Sequence, residues 1–352
     1  MTREVVVVGC GVSGLSTAIR LLERGFAVTI AAPARPSDAD YATRHGSSPP
    51  PCSPWAAAVW YPYHVAEDAR VLVWLRDTLA ELLRLEAEEP GCGVATIELI
   101  ECLGEGVDPP ESVAALSSFA WLEGDEVPPG WPRAYRVPVA LVDTPVYLPW
   151  LERRFDALGG RFERRVLASL DEVRAPGRVV VNCTGLGARE LARDPRMRPS
   201  RGQVLRVARP VGFALRSIVG VASDHTPTYV FPRGADVVLG GTDELDVWDE
   251  GTDPPTLDSI RARCEALEPE VARLLAGGAA VTPGSGLRPV RDGGVVRLEA
   301  EDLGGGCTLI HNYGHGGSGY TLSWGCADEV ARLAETAVGD INRCRVNRCG
   351  DW

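Results

Sequence analysis

The chain has 352 residues, 45% of them hydrophobic, which suits two compact domains, and its formal net charge of −12 argues against nucleic acid or an anionic membrane surface as a partner. All 36 basic residues are arginine, so a pyridoxal Schiff base and a P-loop lysine are both excluded. The ten cysteines form no CxxC pair, no stretch approaches the length of a membrane span, and the apolar run Val5–Val8 starts too early for a secretory leader and ends in a glycine turn. A cytoplasmic protein with free thiols and no metal is therefore expected.

Arg3-Glu4-Val5-Val6-Val7-Val8 reads as a strand buried on both faces. Gly9-Cys10-Gly11-Val12-Ser13-Gly14 follows at once, then Leu15, Ala18, Ile19 and Leu22 at helical spacing, with Gly25 as the stop. Ala27 to Ala31 reads as a second strand. This is the β-α-β context that a G-x-G-x-x-G pattern requires: Gly9 for the tight turn, Gly11 for close approach to a pyrophosphate, Gly14 for helix packing, and the helix amino terminus toward the phosphates. The acidic residue expected at the end of the second strand is missing. Ala31, Ala32 and Pro33 stand there, Asp38 and Asp40 lie further on, and no residue can be named for the adenosine ribose.

Residues 36 to 54 are loop by composition, and the aromatic run Trp60-Tyr61-Pro62-Tyr63 comes soon after. Val71, Trp74, Leu75, Leu79 and Leu82 mark an amphipathic helix; residues 103 to 133 predict loops with short strands; Leu148, Leu151, Phe155 and Leu158 form a second stripe that Gly159-Gly160 stops. Val179 to Val181 is a buried strand running into Asn182-Cys183-Thr184-Gly185. Val204 to Val207, Tyr229 to Phe231 and Val237 to Leu239 predict strands of another sheet. Leu257, Ile260, Cys264, Leu267, Val271 and Leu274 predict one helix. Leu309 to Asn312 predicts a strand, and residues 323 to 336 a helix after a glycine-rich turn. The interleaving implies an α/β protein in which a Rossmann-type domain (1–66, 139–200, 286–340) alternates with an α+β substrate domain on a mixed or antiparallel sheet (67–138, 201–285), followed by a tail (341–352) carrying Cys344 and Cys349.

Arg288 carries the most chemical information. It stands between Leu287 and Pro289 in a small, apolar segment, so it is either paired inside the protein or waits for an anion. A guanidinium grips a carboxylate through two parallel hydrogen bonds. Some 25 residues on, Gly314, Gly316, Gly317 and Gly319 allow backbone to approach a ligand. With the fingerprint, these point to a carboxylate substrate held against a flavin.

Together the motifs resemble the D-amino-acid oxidase family, which also contains D-aspartate oxidase. The resemblance rests on Gly9 to Gly14, Trp60 to Tyr63, VNCTGLGAREL at 181–191, Arg201-Gly202-Gln203, Thr228 to Pro232, LGGT at 239–242, GLRPVR at 286–291 and HNYGHGGSGYTLSWG at 311–325. It implies non-covalent FAD, a D-amino acid and molecular oxygen as reaction partners, and the 2-oxo acid, ammonia and hydrogen peroxide as products. It also implies roles. Arg288 and Tyr229 would bind the substrate carboxylate, and the Gly317 carbonyl the amine. Val59, Tyr61, Tyr63, His225 and Asp243 would line the substrate pocket. Gly9, Gly11, Val12, Ser13, Gly14, Ala57, Ala58, Val166, Thr184 and Gly185 would meet the cofactor, with Gly316, Gly317, Ser318, Gly319, Tyr320 and Thr321 wrapping its ring. A homodimer is compatible with the family.

The chain departs from the family pattern at His225, where a second tyrosine is common, at Ala58, commonly glycine, and in the longer loop between residues 33 and 55. Asp243 stands where D-aspartate oxidases tend to carry arginine; pointing inward it would repel an acidic side chain, which predicts a neutral or basic substrate, and otherwise it is a solvated loop carboxylate. His311 and His315 are expected to serve structure, and at least one of the aromatics at 60, 61 and 63 the core. Two alternatives accompany the main expectation: a specialised oxidase of secondary metabolism on the same fold, and a flavoprotein without oxidase turnover or an NAD(P)H-dependent monooxygenase, for which no second G-x-G-x-x-G is present.

Overall fold

The computed structural model describes residues 4–46 and 48–348, with side chains to residue 339; the expected tail beyond residue 340 lies outside the described side chains. The valine run forms β1 (Glu4–Val8), and α1 (Val12–Glu23) follows the glycine turn, burying Leu15, Ala18 and Ile19. β2 (Ala27–Ala32) returns parallel to β1. α2 (Ala69–Glu88) opens at Asp68, whose carboxylate accepts the backbone N–H groups of Arg70 and Val71. β3 (Val94–Leu103), the one-turn α3 (Glu111–Ala114), β4 (Ala120–Trp121) and β5 (Arg133–Val142) come next. α4 (Thr144–Ala157), β6 (Arg161–Arg164), β7 (Val179–Asn182) and the short α5 (Ala188–Leu191) lead to the long β8 (Met197–Ala208). β9 (Ser217–Val221), β10 (Pro227–Pro232), β11 (Asp236–Gly240) and β12 (Glu244–Leu245) precede α6 (Pro254–Leu267) and α7 (Glu270–Ala276). β13 (Val281–Arg291), β14 (Arg297–Asp302), β15 (Thr308–Tyr313) and α8 (Gly319–Arg348) complete the chain.

Two sheets result. The first has the order β14-β15-β7-β1-β2-β6 and is parallel except at the β14–β15 pair. The carboxyl ends of β1, β2 and β7 therefore lie side by side, where ligands of open α/β sheets bind. The second runs β12-β8-β11-β10-β9-β3-β5-β4, with β13 along the other edge of β8; it is antiparallel except where β3 meets β9. One hydrophobic core runs from β1 and α1 through Trp60, Trp74 and Trp324 to Leu99, Tyr135 and Val139, so both sheets share it.

Several expectations need correction. The stripe from Leu257 to Leu274 makes two helices, because Pro269 has no N–H to continue the first. α8 starts at Gly319, earlier than Ser323. β3, β5, β13 and β14 were not anticipated. β13 hides Pro283 and Pro289 in its sequence, and an edge strand tolerates prolines because one side of its backbone needs no partner. The expected domain boundaries at 138/139, 200/201 and 285/286 fall inside β5, β8 and β13, three strands of the second sheet.

α8 packs closely on α2. The backbone N–H of Gly325 donates to Thr78 Oγ1 at 2.9 Å, and a Cβ at Gly325 would lie 2.8 Å from the carbonyl carbon of Trp74. Gly325→Val is expected to lower stability by about 1–3 kcal/mol through overpacking, to be read from urea unfolding of the purified protein.

Candidate active site

A cavity of about 950 Å³ extends from the carboxyl ends of the parallel strands to the face of the second sheet. At its dinucleotide end Gly9 has φ 108°, and a Cβ on Gly14 would sit 2.9 Å from the Gly9 carbonyl carbon. Only glycine serves at either position. Gly11 caps α1 without a side chain, so the first turn of the helix presents backbone to the cavity through Val12 and Ser13. Ser53 closes this corner, its Oγ accepting the Val12 N–H at 3.2 Å. Thr184 and Gly185 line the wall after β7. Beside the end of β2 the Arg165 N–H donates to the Ala32 carbonyl at 2.8 Å, and the exposed Val166 continues the wall.

Gly316, Gly317, Gly319 and Tyr320 line the cavity; Ser318 and Thr321 do not. The Ser318 hydroxyl accepts the Tyr63 N–H at 2.7 Å and donates to the Tyr63 carbonyl at 2.9 Å. The Thr321 hydroxyl donates to the Tyr61 carbonyl at 3.0 Å and accepts its N–H at 3.3 Å. Two hydroxyls thus clip the 61–63 segment to the turn before α8. Ala57 and Ala58 lie on the cavity wall just before this segment. So do Tyr41, Arg44 and Pro49–Ser53: the proline-rich loop is one wall of the cavity.

Arg288 and Tyr229 meet at the other end. Arg288 Nη1 donates to the Thr242 carbonyl at 2.9 Å and to Ser200 Oγ at 3.4 Å, and the guanidinium stacks over Tyr63 with 5.4 Å from Cζ to the ring centroid. No carboxylate pairs with Arg288 among the described residues, and the Tyr229 hydroxyl lies within hydrogen-bonding reach of the guanidinium. A Cβ at Gly202 would lie 2.7 Å from Nη1, which explains the glycine in Arg201-Gly202-Gln203. Gly241 makes the same allowance for Tyr229, whose hydroxyl would be 2.7 Å from a Cβ there.

Asp243 lies exposed in the loop between β11 and β12, yet its carboxylate has partners. It lines the cavity, accepts the Tyr63 hydroxyl at 3.0 Å and the Ser200 hydroxyl, and has His64 Nε2 at 2.8 Å. Burial pushes its pKa upward, but the His64 ring, the Ser200 hydroxyl and the Arg288 guanidinium outweigh that and hold the carboxyl well below its ordinary range. His225 is exposed on the β9–β10 connection and touches the cavity at its mouth. Val59 and Tyr61 line the wall, whereas Trp60 is core, its indole N–H donating to the Leu75 carbonyl at 3.0 Å. His315 bonds Asn312 Oδ1 at 3.0 Å, and burial lowers its pKa to about 4, as suits a neutral structural ring. His311 Nε2 meets Glu301 at 3.2 Å.

Sequence reasoning missed Ser200, His64 and, most consequentially, Glu101. Glu101 lies on the cavity wall, 1% exposed, where Tyr61 donates to Oε1 at 3.0 Å and Tyr135 donates to Oε2. Burial pushes its pKa up to about 7, against the two tyrosine hydrogen bonds. Its placement inside Leu99-Ile100-Glu101-Cys102-Leu103, an otherwise apolar strand end, was the available signal.

FAD fits this cavity: the glycines at one end leave backbone bare where a pyrophosphate would lie, and the glycine turn before α8 and the clipped 61–63 segment flank space for a flat ring. The fold and the cavity define a dinucleotide-dependent oxidoreductase. The profile of the FAD dependent oxidoreductase family matches residues 4–333, and the chain belongs to that family. It is 44% identical to a D-amino-acid oxidase of Rubrobacter xylanophilus, over 95% of this chain and 97% of the relative. It is 40% identical to a D-amino-acid oxidase of Streptomyces coelicolor, over 94% of this chain and 96% of the relative. Among solved structures, glycine oxidase from Geobacillus kaustophilus superposes with a TM-score of 0.74 at 18% identity, covering 95% of each chain. The chain is an FAD-dependent enzyme. No helix among the described residues is long and apolar enough to cross a membrane.

Two outcomes follow from this geometry. Gly14→Val should yield protein without bound flavin, seen as loss of the yellow visible absorbance, because the new side chain would collide with Gly9. The raised pKa of Glu101 means the folded chain keeps a proton that the unfolded chain loses between its ordinary value of 4.5 and about 7, so stability falls as pH rises through that window. Glu101→Gln is expected to flatten this slope by roughly 1–3 kcal/mol, checked by denaturant unfolding at pH 5 and pH 8.

Proposed function

We propose that the chain oxidatively deaminates a neutral or basic D-amino acid, giving the 2-oxo acid, ammonia and hydrogen peroxide. The observation that carries this is Arg288, a guanidinium without a carboxylate partner among the described residues, in the same cavity as the dinucleotide cradle. FAD, which the turn after β1 and the glycine turn before α8 would hold, would supply the two-electron acceptor, with dioxygen as the final oxidant.

The protein's own residues orient the substrate. The Arg288 guanidinium receives the carboxylate in the bidentate manner that it favours, and the neighbouring Tyr229 hydroxyl adds a third hydrogen bond. The Gly317 carbonyl accepts from the substrate amine; the Gly317 N–H is already engaged with the Tyr63 carbonyl at 3.0 Å, which fixes the peptide. Two anchors on one α-carbon leave its hydrogen a single direction, and this restriction of geometry is the main contribution to rate. No side chain has to take the amine proton if the amine binds uncharged. The relatives' names support the D-configuration. Asp243 supports the exclusion of acidic side chains, since an ionised carboxylate on the cavity wall repels a second one.

Arg288→Ala should keep its flavin and its fold while the apparent KM for a D-amino acid rises roughly 100-fold or more, as expected for loss of a charge-assisted bidentate contact. Peroxide release measured against substrate concentration reads this directly, and a KM within about threefold of the parent would remove Arg288 from the role. Anaerobic D-methionine should bleach the yellow protein, whereas bleaching by NADPH alone would point to a monooxygenase.

A further inference from the structure

Glu101 is the buried ionisable group that the proposed chemistry leaves unused. Sheet register relates it to the anchor of the substrate carboxylate. Tyr135 pairs with Glu101, Glu101 with Val219, and Val219 with Tyr229, so these four residues form one row across β5, β3, β9 and β10. Residues in such a row share a face of the sheet. Glu101, Val219 and Tyr229 all line the same cavity. Two strand spacings, about 10 Å, separate the backbone of Glu101 from that of Tyr229 along this row. The wall between them is apolar, made by Val59, Val219 and Val221.

We infer that Glu101 receives the cationic end of the substrate side chain, so that the preferred substrates are long basic D-amino acids of the lysine and arginine type; this rests on the function proposed above. The methylene stem lies along the valines and the terminal ammonium or guanidinium meets the carboxylate. Tyr61 and Tyr135 hold that carboxylate in place, each donating to a different oxygen. No arginine or histidine pairs with Glu101 among the described residues, so a cation arriving with the substrate meets a carboxylate without a counter-charge. Without such a visitor the buried carboxyl is a liability, since burial disfavours its charged form. Asp243 does not compete for the role, being occupied by His64, Tyr63 and Ser200.

The test compares D-lysine and D-arginine with D-norleucine, which has lysine's chain without its charge, using the FAD-loaded wild type and Glu101→Gln. The ratio of kcat/KM for D-lysine to that for D-norleucine should drop about 10- to 100-fold in Glu101→Gln, the range of one charged hydrogen bond, with the D-norleucine value nearly constant. An unchanged ratio overturns the inference. Should Glu101→Gln not yield folded flavoprotein, the wild-type ratio decides: about 10 or more supports it, and a ratio near or below unity overturns it. Oxidation of D-norleucine or D-methionine without any advantage for basic substrates sinks this inference and leaves the proposed function standing. Failure of every D-amino acid to reduce the flavin sinks both.

Discussion

A cation without a counter-ion is hard to maintain in a chain with 48 acidic residues. Most arginines here have found a carboxylate: Arg201 binds Glu244 and Asp249, Arg233 binds Asp236, and Arg291 binds Asp194. Arg288 has not, because the acid that could reach it is held elsewhere. Asp243 is occupied by Tyr63, Ser200 and the nearby His64. Ser200 serves both groups, donating to Asp243 and accepting from Arg288. The guanidinium keeps its direction through the Thr242 carbonyl and its position through the bare backbone of Gly202. The substrate end proposed above is arranged around this guanidinium.

The second sheet turns that constraint into a measured cavity. β8 carries Ser200 and Gly202 and pairs with β13 so that Arg288 lies opposite Ser200. On its other edge, β11 and β10 bring Tyr229 opposite Gly240, and β9 and β3 extend the same row to Glu101. Because a strand alternates its faces, a slip of one residue anywhere along this path would send Tyr229 or Glu101 to the far side. The first sheet supplies the cofactor end through the turn after β1, and the hydroxyls of Ser318 and Thr321 tie the two ends together through the backbone of Tyr61 and Tyr63.

Much of the fold was legible in the amino-acid order. The valine run, the glycine turn and the helical stripe specify β1 and α1 by local chemistry alone, and the stripes of α2 and α4 are equally plain. The missed strands have physical causes. β13 contains prolines and glycines that local rules assign to loop, and its pairing along the whole of β8 overrides them. β3 begins with exposed alternation and ends fully buried, so no single period describes it. Pro269 was visible, yet the apolar spacing continues across it, and the stripe alone reads as one helix.

The sequence by itself determined the dinucleotide fingerprint, the family, and an arginine set in a small, apolar segment, because these depend on residue types at short spacing. Only the tertiary structure decided that Arg288 lacks a carboxylate partner among the described residues, that Asp243 is bound at the cavity wall, and that Glu101 lies in one row with Tyr229. Glu101 and Tyr229 in that row are 128 positions apart in the chain. Charge pairing and distance between such residues follow from strand register, which emerges only when the whole sheet has assembled.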